Sequence, residues 1–427
     1  MSNQQPYEPL NSERLAHVLD LTIKHDRTNK LVTFLCALSA FTEDDQFNVS
    51  YNAPSSTGKS YIPIEVAKLF PDGDVMQMGY CSPTAFFHDV GIPDKTKKGR
   101  VVVDLGRKVL IFLDQPHNEL LSRLRPLLSH DAKEINIKIT DKSQKQGLRT
   151  KDVLLKGYPS VIFSTAGLRV DEQEATRFFL LSPEVHQDKI RQSIGAAIDR
   201  ASGGEKYISK VERDKGRMLL KDRLQAIRDA HITDIRINPK LQIEIQRVFL
   251  DDQKVLRPRS QRDIKRFISL IKAFALLNFW WRDRDGATIT VHADDFAEAH
   301  ALWTEISVSQ ELNLPPYVYS IYRDVIQPAW RDKQKAYGGR LVGLTRAEVL
   351  SEHFHVYGRM LDATQLRKQI LPMLETTGLV IEERDPNNRN RKFIFPADPN
   401  ETGDSGNPSG VPANIPSQVR NISDSEV

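Results

Sequence analysis

The chain has 427 residues, 40% of them apolar and 27% charged, a composition typical of folded proteins and a length that supports two or three separately packed domains. Wholesale disorder and a disulfide-stapled miniprotein are excluded, and no apolar run reaches the ~18 to 20 residues that span a bilayer, so no membrane partner is expected. The formal charge is +4, but residues 397–427 set Arg420 against Asp398, Glu401, Asp404, Asp424 and Glu426, leaving the remainder at about +8, which permits nucleic-acid binding without requiring it.

The opening MSNQQPYEPLNSER lacks the basic flank, apolar run and cleavage site of a secretory signal, and the two cysteines, Cys36 and Cys81, lie far apart; both features point to a reducing, cytoplasmic setting. Residues 1–42 read as an N-terminal helical segment, with Leu15, Val18, Leu19 and Ile23 in one helix and Leu31, Phe34, Leu35 and Leu38 in the next. Over 43–183 the texture changes. Short β-rich runs at 47–51, 101–104, 109–114, 135–139, 153–155, 160–165 and 178–181 alternate with helical stretches such as 61–70 and 119–128. That alternation predicts an α/β domain with a parallel sheet and crossover helices.

Residues 184–306 read as helical. Pro258, Ser260 as N-cap and Asp263 open a helix with Ile264, Phe267, Ile268, Ile271 and Phe274 on one face. Residues 307–340, with Pro315, Pro316, Pro328, Gly338 and Gly339, read as a connector containing a short helix. In 341–396, Thr345 with Glu348 and Asp362 with Gln365 form two capping boxes. The second helix carries Ala363, Leu366, Ile370, Met373 and Leu374 on one face; Pro372 predicts a kink and Gly378 its C′ residue. Two strand-like runs around a polar turn, DPNNRN, follow. Two helices and a basic-tipped hairpin have the sequence shape of a winged helix. The tail, 397–427, is rich in Asn, Pro, Gly and Ser and is expected to be disordered.

The motif that carries chemistry is Ala53-Pro54-Ser55-Ser56-Thr57-Gly58-Lys59-Ser60, placed after a predicted strand and before a predicted helix. A GKS can arise by chance in a Ser-rich loop, but the flanks favour a P-loop. Backbone amides and the helix N-terminus surround the phosphates of ATP, Lys59 reaches the β- and γ-phosphates, and Ser60 ligates Mg²⁺. Ala53 replaces the usual first glycine. Asp114, ending the continuously apolar run 109–113, is the candidate for the Mg²⁺ water shell, with the run ending at Asp104 a decoy of the same shape. Gln115 follows where a glutamate usually polarises the attacking water; a glutamine orients water but is a poor proton acceptor. Glu119, one turn on, reads more simply as a solvated helix residue.

These elements and their order resemble an AAA+ ATPase. The resemblance covers roughly 53–306 and is closest to the group with a β-hairpin before the sensor 1 strand: minichromosome maintenance helicases, superfamily 3 helicases and primase-helicases of mobile elements. It makes 184–306 a helical lid. It implies that the hairpin around 134–156 lines the pore of a ring, with Lys142, Lys145 and Arg149 touching DNA phosphates, although an exposed lysine-rich turn has the same composition. It assigns sensor 1 to Thr165, with Ser164 as the alternative. It makes Arg177 the arginine finger acting on a neighbour's ATP, with Arg169 as runner-up and an ion pair to Glu174 as the plain alternative. Sensor 2 falls on Arg262, over the γ-phosphate; Arg266 either takes that role or faces solvent. In the winged-helix segment Arg389, Arg391 and Lys392 suit phosphate contacts, and nearby acidic residues make protein binding the alternative. The implied protein is an ATP- and Mg²⁺-dependent helicase or translocase, self-assembled in a ring, hexameric in that group, and acting on DNA in replication of a phage or mobile element. The other readings are a slow ATP-dependent switch and a non-hydrolysing scaffold. His25, His88, His117, His130, His353 and His355 show no metal-ligand spacing and read as structural.

Overall fold

The computed structural model describes residues 6–88, 91–141, 149–165, 167–168, 176–253, 256–339, 341–385 and 388–397, with backbone alone at 87, 88, 139–141, 149–151, 389 and 390. The chain divides into two compact units, Met1–Pro316 and Tyr317–Val427. The tail from 398 onward lies outside the described residues.

The first unit opens with α1 (Ser12–Leu19) and α2 (Arg27–Ser39). Every α2 residue from Asn29 to Ser39 is buried, as befits a helix at the centre of a core. Its one buried cation, Lys30, pairs with Asp20 and donates to the Ile23 carbonyl at 3.3 Å. Strands follow at β1 (Asn48–Asn52), β2 (Val75–Met78), β3 (Ile92–Pro93), β4 (Arg100–Asp104), β5 (Val109–Phe112), β6 (Glu134–Asp141), β7 (Arg149–Lys156), β8 (Ser160–Thr165) and β9 (Phe178–Leu181). Helices α3 (Tyr61–Ala67), α4 (Ala85–His88) and α5 (Asn118–Leu128) lie between them.

Among the described residues, five of these strands build an all-parallel sheet in the order β2-β5-β8-β1-β9. β1, β5, β8 and β9 are buried at every position, because helices cover both faces. Val49, Tyr51, Ile111, Ile162 and Phe179 pack toward α2 and α3; Leu110, Phe112, Val161, Phe163 and Phe178 pack against Leu120, Leu121, Leu124 and Leu127 of α5. The open edge of β9 is closed by a side chain: Gln310 accepts from the Leu180 amide at 3.0 Å and donates to its carbonyl at 2.8 Å, which removes the unpaired backbone of an edge strand.

The β-rich runs do not join one sheet, as the alternation alone predicts. The run at 101–104 and the 134–156 hairpin form a separate four-stranded sheet, β3-β4-β7-β6. β4 is parallel to β7, and β6 and β7 are antiparallel, paired from Glu134↔Lys156 to Asp141↔Arg149. Gly157 allows the return: its φ is +84°, and a Cβ there would lie 2.3 Å from the Gly106 amide nitrogen.

The helical region contains α6 (Gln187–Glu212), α7 (Lys215–Ala230), α8 (Pro239–Asp251), α9 (Ser260–Leu277) and α10 (Ala293–Glu311). It also holds a small sheet absent from the sequence reading, formed by β10 (Asp234–Arg236), β11 (Arg284–Asp285) and β12 (Thr288–Thr290). Ser260 is not the N-cap of α9. It lies inside the first turn, its hydroxyl donating to Gln253 Oε1 at 2.6 Å, and Arg259 occupies the cap without a side-chain bond. Asp263 is buried between Arg259 and Arg266 rather than completing a capping box.

In the second unit the segment read as a connector is largely helical: α11 (Pro316–Ser320), a π turn at Ile321–Ile326 and α12 (Gln327–Ala336). There follow β13 (Leu344–Thr345), α13 (Arg346–Tyr357), a second helix from Ala363 to Thr376, β14 (Val380–Asp385) and β15 (Asn388–Pro396). The strands form a sheet in the order β13-β15-β14. The Thr345–Glu348 capping box forms, and Asp362 accepts from the Gln365 amide at 2.7 Å. The irregularity expected at Pro372 is a π turn over Leu366–Ile370, which absorbs the hydrogen bond that proline cannot donate.

Candidate nucleotide site

β1 ends at Asn52, and the loop Ala53–Ser60 runs from its C-terminal end into α3. This is the edge of an open parallel sheet at which ligands bind. Ser56 (φ 64°) and Gly58 (φ 94°) have left-handed backbone while their neighbours do not; such alternation turns successive amides to one side. A Cβ on Gly58 would meet nothing within 4 Å, so no atom crowds that side of Gly58. Thr57 Oγ1 donates to the Pro54 carbonyl at 3.0 Å. Lys59 Nζ lies 2.7 Å from the carbonyls of both Ala53 and Pro54, and its ammonium has to leave these oxygens to reach a phosphate.

Two neighbouring strands bring their own residues to this edge. Ser60 Oγ donates to the Leu113 carbonyl at 3.1 Å, fixing the start of α3 to the end of β5, next to the exposed Asp114. β8 lies between β5 and β1, with Asn52↔Thr165 in register. Thr165 is buried, and its hydroxyl donates to Gln115 Oε1 at 2.8 Å while accepting from the Gly167 amide at 3.1 Å. The decoy Asp104 belongs to the other sheet and pairs with Lys156 at 3.1 Å. Glu119 pairs with Arg123 on the surface of α5.

Behind the loop is a support that the sequence does not reveal. His25 and Asp26 both have left-handed φ, 55° and 52°, a conformation that costs L-residues about 1 kcal/mol or more each. The Asp26 carboxylate offsets this by accepting from Asn29 Nδ2 and the Glu184 amide, both at 2.8 Å, and by pairing with Lys189. Burial raises the pKa of Asp26 despite the opposing Lys189 charge. Lys189 Nζ also lies 3.3 Å from the Thr57 carbonyl, so the pair abuts the loop. His25 gathers with Glu184 and His186, a proximity invisible in spacing. His186 accepts from the Lys189 amide through Nδ1 at 3.2 Å as the N-cap of α6 and contacts Glu184 through Nε2 at 2.7 Å. Metal ligation through Nε2 would demand that Nδ1 carry the proton, opposing that cap.

Arg177 and Arg262 stand elsewhere. Arg177 directly precedes β9, whose first residue pairs with Asn48 at the start of β1, so about 13 Å of strand separates it from the end of the sheet at which the Ala53–Ser60 loop leaves. Its Nε donates to Ser129 Oγ at 2.6 Å. Arg262 is exposed and bonds Thr176 Oγ1, so it too lies away from the Ala53–Ser60 loop. Arg266 does not face solvent: it is buried and donates to the Phe178 carbonyl at 2.6 Å. Glu174, Arg169, Lys142 and Lys145 lie outside the described residues, as do the side chains of Arg149 and Arg389. Arg391 is exposed with its guanidinium 5.0 Å from the Phe393 ring centre, and Lys392 pairs with Glu382 at 2.6 Å. Among the described residues, no helix is long and apolar enough to cross a membrane. No known family model matches the chain, and a search of curated proteins returned no match.

Proposed function

We propose that this chain is an ATPase of the AAA+ class that works as a ring on DNA, as a helicase or translocase in the replication of a phage or mobile element. The observation that carries the reading is convergence: the Ala53–Ser60 loop, Asp114 with Gln115, and Thr165 come from three separate parts of the sequence to one end of a parallel sheet, joined by Ser60–Leu113 and Thr165–Gln115 bonds. The loop's backbone suits a phosphate, with Gly58 uncrowded and left-handed backbone at Ser56 and Gly58. ATP supplies the phosphoanhydride, and Mg²⁺ its charge neutralisation. Ser60 and Asp114 would hold the metal, Lys59 the β- and γ-phosphates, and Thr165 with Gln115 would orient the attacking water.

Arg177 is too far from its own loop to serve it, so its role belongs to a neighbouring copy, where such a finger contributes about 10³ to 10⁵ in rate. Arg262 stands on the same side and belongs to the same arrangement. DNA contact is assigned to the tip of the hairpin, whose arms are eight residues each, with Lys142, Lys145 and Arg149, and to a winged helix with Arg389, Arg391 and Lys392, of which Lys392 pairs with Glu382. The test is ATP turnover with and without single-stranded DNA, beside Lys59→Ala, at low and moderate salt. Stimulation lost in Lys59→Ala supports the motor. Tight ATP binding with background turnover and no response to DNA supports the second reading, a slow switch, which the absence of a carboxylate at Gln115 favours.

A further inference from the structure

Arg177 is gripped on both sides by one helix. Arg262 of α9 bonds the hydroxyl of Thr176, the residue before Arg177, and Arg266 of α9 bonds the carbonyl of Phe178, the residue after it. Arg266 is fully determined by its surroundings: it is buried, its guanidinium lies 5.0 Å from the Phe179 ring centre, and it pairs with the buried Asp263 one turn back. Asp263 in turn pairs with Arg259, which bonds Asn313 at the end of α10. Burying three ions together is costly unless hydrogen bonds satisfy them fully, and the packing leaves Arg259 Nη2, Asp263 Oδ2 and Arg266 Nε without partners. Hydrophobic residues would fill the same space at lower cost.

Resting on the trans-finger reading above, we propose that Arg266 and Asp263, with Arg262 at the surface, are positioning residues for Arg177: they fix the finger segment to α9. The finger then moves with the helical region of its own subunit while acting on the nucleotide of the next. A subunit lacking this clamp keeps its own P-loop intact and fails only as a donor of the finger.

Mixing subunits tests this. Arg177→Ala and Lys59→Ala proteins, each inactive alone, should regain turnover when mixed, because Lys59→Ala subunits lend fingers to intact P-loops; no recovery in that mixture sinks the trans-finger reading itself. Given recovery, Arg266→Gln should bind ATP with an unchanged dissociation constant and turn over about tenfold or more slowly, a loss confined to kcat. It should recover when mixed with Lys59→Ala and stay at its reduced rate with Arg177→Ala. Thr176→Val, at the outer side of the clamp, should fall in the same complementation group if Arg266→Gln fails to fold. Recovery of either variant with Arg177→Ala, or failure of both to recover with Lys59→Ala, overturns the proposal.

Discussion

Thr165 and Gln115 meet through a hydrogen bond of 2.8 Å that joins the C-terminal ends of β8 and β5. Because the threonine hydroxyl also accepts from the Gly167 amide, its proton is directed to the glutamine oxygen, and Gln115 is held with its amide oxygen engaged. In the proposed ATPase, an amide fixed in this way would orient water without removing its proton.

Replacing Gln115 with glutamate keeps an acceptor for Thr165 and adds a base. Gln115→Glu is expected to raise turnover about tenfold with KM for ATP little changed, whereas Thr165→Val should lower turnover by about the same factor. Steady-state kinetics of both variants check this; a Gln115→Glu protein slower than the parent would show that the amide, not a base, is what the site uses.

Lys59→Ala should abolish ATP binding in titration calorimetry. Gly58→Ala addresses the loop differently. Its Cβ would meet open space, but the φ of +94° is strained for any L side chain. It should cost about 1 to 2 kcal/mol of stability, lowering the thermal midpoint by a few degrees at most, and weaken ATP binding tenfold or more.

Asp26→Asn removes the carboxylate that Lys189 faces and leaves a buried cation uncompensated. Breaking such a pair costs about 3 to 5 kcal/mol, measurable as a lowered urea midpoint. Since Lys189 also contacts the Thr57 carbonyl, nucleotide affinity should fall too. An Asp26→Asn protein as stable as the parent would mean that the pair contributes nothing net.

His130 gives a pH dependence of defined sign. Burial pushes its pKa down from 6.5 to about 4, and it lies 3.2 Å from Gln46 Oε1 and against the Tyr158 ring. Between those values the unfolded chain binds the proton and the folded one does not, so stability is lost as pH falls from about 6.5 toward 4, by at most about 3 kcal/mol. His130→Asn tolerates the left-handed backbone at this position (φ 57°). Its urea midpoint should vary less over that pH window than the parent's.

The elements legible in the sequence are those whose signal is contiguous. The two N-terminal helices, the strand-loop-helix around Gly58, the Thr345 capping box and the hairpin arms of 134–156 each declare themselves within a dozen residues, through periodicity, capping chemistry or turn residues. Ser260 illustrates the limit: it satisfies the local rule for an N-cap, but the hydroxyl is drawn to Gln253 once the preceding turn packs beside it. Arg262 and Arg266, four residues apart, carry the same local signal, and only packing makes one exposed and the other buried against Phe179.

By itself the sequence determined the alternation that makes a buried sheet with helices, and the short motif whose backbone suits a phosphate, because both depend on neighbours along the chain. Tertiary structure alone decided which strands share a sheet. It separated Asp104 from Asp114, set Thr165 between β1 and the strand of Asp114, and moved Arg177 and Arg262 to the far end from Lys59. The physical reason is that strand pairing and ion burial are fixed by packing between segments distant in sequence, where the free energy of excluding water selects one partner among several that local pattern permits.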